Sequence, residues 1–139
     1  MKWLWRWWQR SNENEAFAQD EFSRQRPELE ARFMQEASAS GKPRGLLWKG
    51  LEWEPGAAFA RDRSTGNLAA LVGVTIQFEA VAGSDMEDLP AVGNLRNASA
   101  VFFFDCGRWR TTGKAVFNLN PDEVLRHFKK QYEPLGPAA

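Results

Sequence analysis

The sequence holds one cysteine, one histidine and one tyrosine among its 139 residues. A single cysteine excludes an internal disulfide framework and any cysteine-rich zinc site. Cys106 and His127 are the one thiol–imidazole pair on offer, and nothing in their spacing joins them. Long apolar runs are also missing: no stretch approaches the roughly 20 residues that span a bilayer. Net charge is absent too, since 18 basic and 18 acidic residues cancel, so there is no global pull toward nucleic acid or an acidic surface. No glycine pattern of the phosphate-cradling kind occurs. Asp85, Glu87 and Asp88 lie close together in SDMEDLP, but that order lacks the alternation and the glycine of a calcium loop. No metal, no cofactor and no catalytic residue is therefore expected.

What the chain has in excess is tryptophan, seven in all, four of them in the first eight residues. Residues 1–10 also hold Lys2, Arg6 and Arg10 and no acid, while residues 11–36 hold seven acids against three bases. The neutral total thus conceals a basic aromatic tip followed by an acidic stretch. On a helix with Trp3 at zero, Trp7 falls near ~40°, Leu4 near ~100°, Trp8 near ~140° and Trp5 near ~200°. Lys2, Arg6, Gln9 and Arg10 fall between ~240° and ~340°. Apolar and polar residues each occupy one arc, the pattern of a short helix lying in a membrane interface. Trp suits that zone because its ring is apolar and its N–H wants a wet partner, and the basic residues beside it suit anionic headgroups. The segment is no secretory signal, having neither an apolar core of 7–15 residues nor a small-residue cleavage site. Trp3, Leu4, Trp5, Arg6, Trp7, Trp8 and Arg10 form the first candidate site, for an anionic membrane surface or for protein. The expected location is the cytoplasm, with peripheral attachment to the inner membrane face as the role of the tip.

Residues 12–43 read as two helices. Asn12 and Glu15 have capping-box spacing. Pro27 breaks the first helix or opens the second. Leu29, Phe33, Met34 and Ala37 share one face of that second helix. From residue 44 the period changes to two. Runs at 45–53, 57–63, 68–81, 95–105 and 108–119 predict strands, joined by turns at Ser64–Asn67 and Cys106–Gly107 and by an acidic loop over 82–94. Asn120-Pro121-Asp122-Glu123 combines a cap, a first-turn proline and two first-turn acids. It starts a helix whose stripe is Val124, Leu125, Phe128 and Tyr132 and which Pro134 stops.

The expected fold class is α+β: an antiparallel meander sheet of 4–5 strands with two N-terminal helices and one C-terminal helix, in a two-layer sandwich. The divisions are a tip at 1–11, an acidic helical region at 12–43, the sheet and last helix at 44–134, and a disordered tail at 135–139. This element order is similar to that of cone-shaped cystatin-like and NTF2-like folds, a likeness of fold that licenses no function.

Two functions compete. One is a small non-enzymatic binding or adaptor domain held at a membrane or partner by its tip. The other is a small-molecule or enzymatic pocket within a curved sheet, lined by Thr75, Gln77, Asn97, Ser99, Arg110 and Thr112 on the polar strand faces. Arg61, Arg63, Arg108, Arg110 and Lys114 could gather with Trp109, but Glu52, Glu54, Asp62 and Asp105 lie among them. Nucleic-acid binding is not expected.

Overall fold

The computed structural model describes residues 2–40, 46–80 and 95–135, and within them the side chains of 15–39, 48–78 and 95–135. The α+β class holds. The chain forms α1 (Lys2–Ser40), β1 (Leu46–Trp53), β2 (Ala58–Asp62), β3 (Leu68–Ala80), β4 (Leu95–Asp105), β5 (Arg108–Arg110), β6 (Ala115–Phe117), α2 (Pro121–His127) and β7 (Tyr132–Pro134). Among the described residues seven strands, not the expected 4–5, join one sheet, because the run at 108–119 divides and a short strand follows α2, and every pairing is antiparallel. β3 is its centre, with β4 on one side and both β1 and β2 on the other.

The N-terminal region is one helix of 39 residues, not two, and Pro27 lies inside it. At 1.5 Å per residue the helix is about 58 Å long. Proline removes one helical hydrogen bond, that to the carbonyl four residues back. Here Pro27 and Ser23 are both exposed, so water can satisfy the freed carbonyl. Packing holds the helix on either side of this point: Phe22 and Phe33 are fully buried. Between them the Arg26 guanidinium donates to the carbonyls of Glu54 and Pro55 and to Glu30. Those contacts override the local break. The helix also runs without interruption through residue 11.

Ala18, Phe22, Leu29, Phe33 and Ala37 form the stripe of α1 that is buried against the sheet. Across from it stand Leu68, Ala70, Val72, Val74, Ile76 and Phe78 of β3 and Ala98, Ala100 and Phe102 of β4. The period-two pattern of these strands thus sends one set of side chains to α1. Phe22 meets Phe59, Phe102 and Trp109 edge-on at centroid distances of 5.7, 5.4 and 4.9 Å. Phe33 packs in the same manner on Trp48 and Trp53. A bulge between Trp48 and Gly50 makes this possible. Lys49 is the extra residue, so Trp48, Leu51 and Trp53 reach one face although their spacing is not strictly even.

The C-terminal helix departs from expectation in two ways. It ends at His127, and Tyr132 instead belongs to β7, opposite Asp62 of β2. It also lies on the face of the sheet away from α1, where Val124 packs with Ala60, Ala69, Leu71, Val101 and Tyr132. The sheet is therefore covered on both faces over part of its area, and the molecule is not a two-layer sandwich. The second set of β3 and β4 side chains is the reason: Leu71 and Val101 are apolar and need a cover of their own.

The predicted strand at 108–119 is split into β5 and β6. Residues 111–114 leave the ladder, and Gly113 comes against the backbone of α1. The Thr111 hydroxyl donates to the Val101 carbonyl at 3.0 Å and accepts from the Gly113 N–H at 3.0 Å. Leu135 is bonded to the sheet through its N–H and the Phe59 carbonyl at 3.1 Å. The rest of the expected tail, at 136–139, lies outside the described residues. So does the 82–94 loop with Asp85, Glu87 and Asp88.

Candidate functional site at the turn end of the sheet

Three turns meet at one end of the sheet: 63–67 between β2 and β3, 106–107 between β4 and β5, and 128–131 between α2 and β7. Local chemistry shapes the first. The Asp62 carboxylate accepts from the Ser64 N–H at 2.9 Å and the Ser64 hydroxyl at 2.6 Å. The Asn67 N–H donates to the Thr65 hydroxyl, and Gly66 takes a φ of 77°. In the third turn, the Gln131 and Tyr132 N–H groups both donate to the Phe128 carbonyl. The first and third turns are tied together. The Arg63 N–H donates to the Gln131 carbonyl at 2.7 Å, and its side chain donates to the Lys129 carbonyl at 3.1 Å.

α1 crosses the sheet toward this end and is pinned there. The Arg61 guanidinium donates to Glu15 at 2.7 Å and to the Gly66 carbonyl at 2.7 Å. Glu15 and Phe17 line a shallow groove with Gly66, Leu68, Phe104 and Gly107. At Glu15 the helix has thus reached the turns where the strands stop. Residues 2–14 continue it, and thirteen residues at 1.5 Å each amount to about 20 Å of helix beyond that point.

The outward surface of this end is basic and partly apolar. Arg63, Arg108, Lys129 and Lys130 are exposed. Phe17 and Phe128 are 54% and 40% exposed. Its acids are engaged. Glu15 holds Arg61, Asp62 organises its turn, Glu133 faces Arg63 at 3.8 Å, and Asp105 accepts from the Cys106 thiol. Partial burial works against the Asp62 charge. The hydrogen bonds from Ser64 and Thr65, with Lys114 nearby, outweigh it and hold its carboxyl below the usual carboxylate value.

Tyr132 provides a direct probe here because it is the only tyrosine in the chain. Burial, and next the Asp62 charge, push its phenol above the ordinary value of 10.0. The charged form is disfavoured in the fold. The stability linked to this group is therefore fully present below about pH 10, the unfolded value, and is lost as pH rises through the folded one. Phenolate absorbance of the folded protein is expected to titrate above pH 10.0, and lower in Asp62→Asn than in the parent. A folded midpoint at the free-tyrosine value would contradict this placement.

The six polar positions expected to line a pocket are divided. Thr75, Gln77, Asn97 and Ser99 share the face opposite α1, where the Thr75 hydroxyl donates to Asn97 at 3.3 Å. Ser99 is buried and its hydroxyl donates to the Leu119 carbonyl at 2.8 Å. Arg110 and Thr112 instead line an open groove of about 860 Å³ between β5 and the flank of α1, with Gln25, Arg32 and Gln35. The structure does bring Arg61, Arg63 and Arg108 to one end. Trp109 cannot stack on a base there, since it is buried and its indole N–H donates to the Ala18 carbonyl at 2.7 Å. Cys106 sits in the second turn and His127 on the last turn of α2. No hydrogen bond joins them among the described residues. The side chains of Trp3, Leu4, Trp5, Arg6, Trp7, Trp8 and Arg10 lie outside the described ones; their backbone is helical.

Among the described residues no helix is long and apolar enough to cross a membrane. The chain matches no known family model, curated protein or solved structure. The sequence reading missed Phe128, Lys129 and Lys130, because it placed them within a longer helix. Their signal was the succession Phe-Lys-Lys ahead of a β-forming tyrosine, which a helical stripe described almost as well.

Proposed function

We propose that this chain is a non-enzymatic binding domain that attaches to anionic membrane surfaces through the first ten residues of α1. The observation that carries the reading is the continuity of the helix. The aromatic segment is not a separate tail but the end of a 39-residue helix anchored by its other half in the core. An isolated ten-residue helix is unstable in water, whereas an extension propagates from turns already formed. The tip is thereby organised for an interface before it meets one, which lowers the ordering cost of binding. Trp3, Leu4, Trp5, Trp7 and Trp8 would enter the headgroup boundary, with Lys2, Arg6 and Arg10 on the flank where anionic lipid is met. The polar positions of the alternative pocket carry no second reading, since they fall in two places.

Vesicle flotation of the full chain tests this. The parent is expected to float with phosphatidylcholine–phosphatidylserine vesicles and to be released as salt is raised. Replacing Trp3, Trp5, Trp7 and Trp8 together by alanine is expected to weaken binding at least about a hundredfold. Failure of the parent to bind, or equal binding of the variant, overturns the reading.

A further inference from the structure

We infer that the turn end of the sheet is a second contact for the same anionic membrane surface, an inference that rests on the tip being a membrane anchor. Phase is the first ground. At 100° per residue, positions 4, 7 and 8 fall within about 70° of the mean direction of Ala18, Phe22, Leu29, Phe33 and Ala37. Trp3 and Trp5 flank that direction on either side. Along the helical backbone, positions 4, 7 and 8 therefore share the side of α1 that carries the stripe packed on the sheet. A surface that receives the arc must come from the sheet's side of the helix axis. It enters the corner between the projecting helix and the end of the sheet, and a flat surface that does so meets the turn end.

The chemistry of that end is the second ground. Four exposed bases, Arg63, Arg108, Lys129 and Lys130, stand beside the exposed rings of Phe17 and Phe128. Of the neighbouring acids, Glu15 is paired with Arg61 and Glu133 faces Arg63, while Asp62 and Asp105 keep their charge but are less exposed than the four bases. Cationic side chains close to an anionic leaflet and aromatic rings at headgroup depth are the two elements of interfacial attachment. Phe17 lies on the α1 side of the sheet, and Phe128 closes α2 on the other. Contact at both would set the sheet edge-on to the membrane and fix the tilt of the domain, which a helical tip alone would leave free to swivel.

The lone cysteine makes the test direct. Cys106 is exposed in the 106–107 turn, so an environment-sensitive fluorophore on its thiol reports at the turn end of the otherwise unaltered full chain. On phosphatidylcholine–phosphatidylserine vesicles its emission is expected to shift to the blue. No shift under conditions where the labelled protein floats overturns the inference and leaves the anchor intact. The second arm is Lys129→Glu with Lys130→Glu, against a matched reversal at the far end of the sheet, Lys49→Glu with Arg96→Glu. The first pair is expected to weaken vesicle binding about tenfold or more, and the second to change it little. Equal effects of the two pairs, or none from the first, overturn the inference. If the unlabelled parent binds no vesicle at all, the anchor reading itself has failed.

Discussion

Alanine at position 113 is expected to destabilise the domain by about 3–5 kcal/mol, enough to unfold a protein of ordinary marginal stability. Gly113 is buried in the crossing between β5 and β6, where the chain comes against the backbone of α1. A β-carbon there would stand 2.5 Å from the Ala37 nitrogen, 2.8 Å from its Cα and 2.8 Å from the Glu36 carbonyl carbon. All three are backbone atoms of a helix, so no side chain can rotate away. The φ of 83° adds strain that only glycine escapes. Gly66→Ala separates the two causes. Its φ is 77° but nothing lies within 4 Å of the added carbon, so only strain applies and the cost is about 1 kcal/mol. Urea denaturation of the two variants measures both, provided the slope is unchanged. Equal midpoints would show that the close approach of α1 at Gly113 is wrong.

Phe22→Ala is expected to cost about 3–5 kcal/mol, the range for removing a fully buried aromatic ring. Phe22 is 1% exposed and meets Phe59, Phe102 and Trp109, which belong to three different strands. The cavity cannot close without moving β2, β4 and β5 together, so relaxation recovers little. Phe17→Ala on the same helix removes a ring that is 54% exposed and should change stability by less than about 0.5 kcal/mol. Both are read from thermal or denaturant melts. A loss below about 1 kcal/mol for Phe22→Ala would mean that α1 does not rest on the sheet as described.

These two positions show where the sequence could be read and where it could not. With Phe17, Phe22 is one of the two large apolar residues between residue 12 and Pro27, a contrast visible from composition alone, though not which of the two is buried. Gly113 carried no signal, since a glycine within an alternating run looks like any weak point in a strand. The demand on it comes from a helix more than seventy residues away in the chain. Pro27 illustrates the reverse error. Its local effect is to break a helix, and the prediction of two helices followed that effect faithfully. Anchoring on either side, by Phe22, Phe33 and the Arg26 guanidinium, outweighed one missing hydrogen bond.

The candidate site was legible only in part. The segregated arc of Trp3, Leu4, Trp5, Trp7 and Trp8 depends on nothing but order along the chain. Its relation to the rest of the molecule depends on phase across Pro27 and through the polar stretch between residues 9 and 17, and on where the strands end. Lys129 and Lys130 fall inside the predicted C-terminal helix, and Arg63 at the end of the predicted strand 57–63. That these lie side by side follows from the pairing of β7 with β2.

By itself the sequence determined the α+β class, the antiparallel strands of the central sheet, the capping box of α2 and the amphipathic tip. Each rests on neighbours within a few residues, where period, turn chemistry and capping act. Only the tertiary structure decided that α1 is continuous, that α2 crosses to the opposite face, that 108–119 splits in two, and that Tyr132 is a strand residue. The reason is common to all four. Each sets a local preference of about 1–3 kcal/mol against the burial of several side chains at once, and the partners in that burial are distant in sequence.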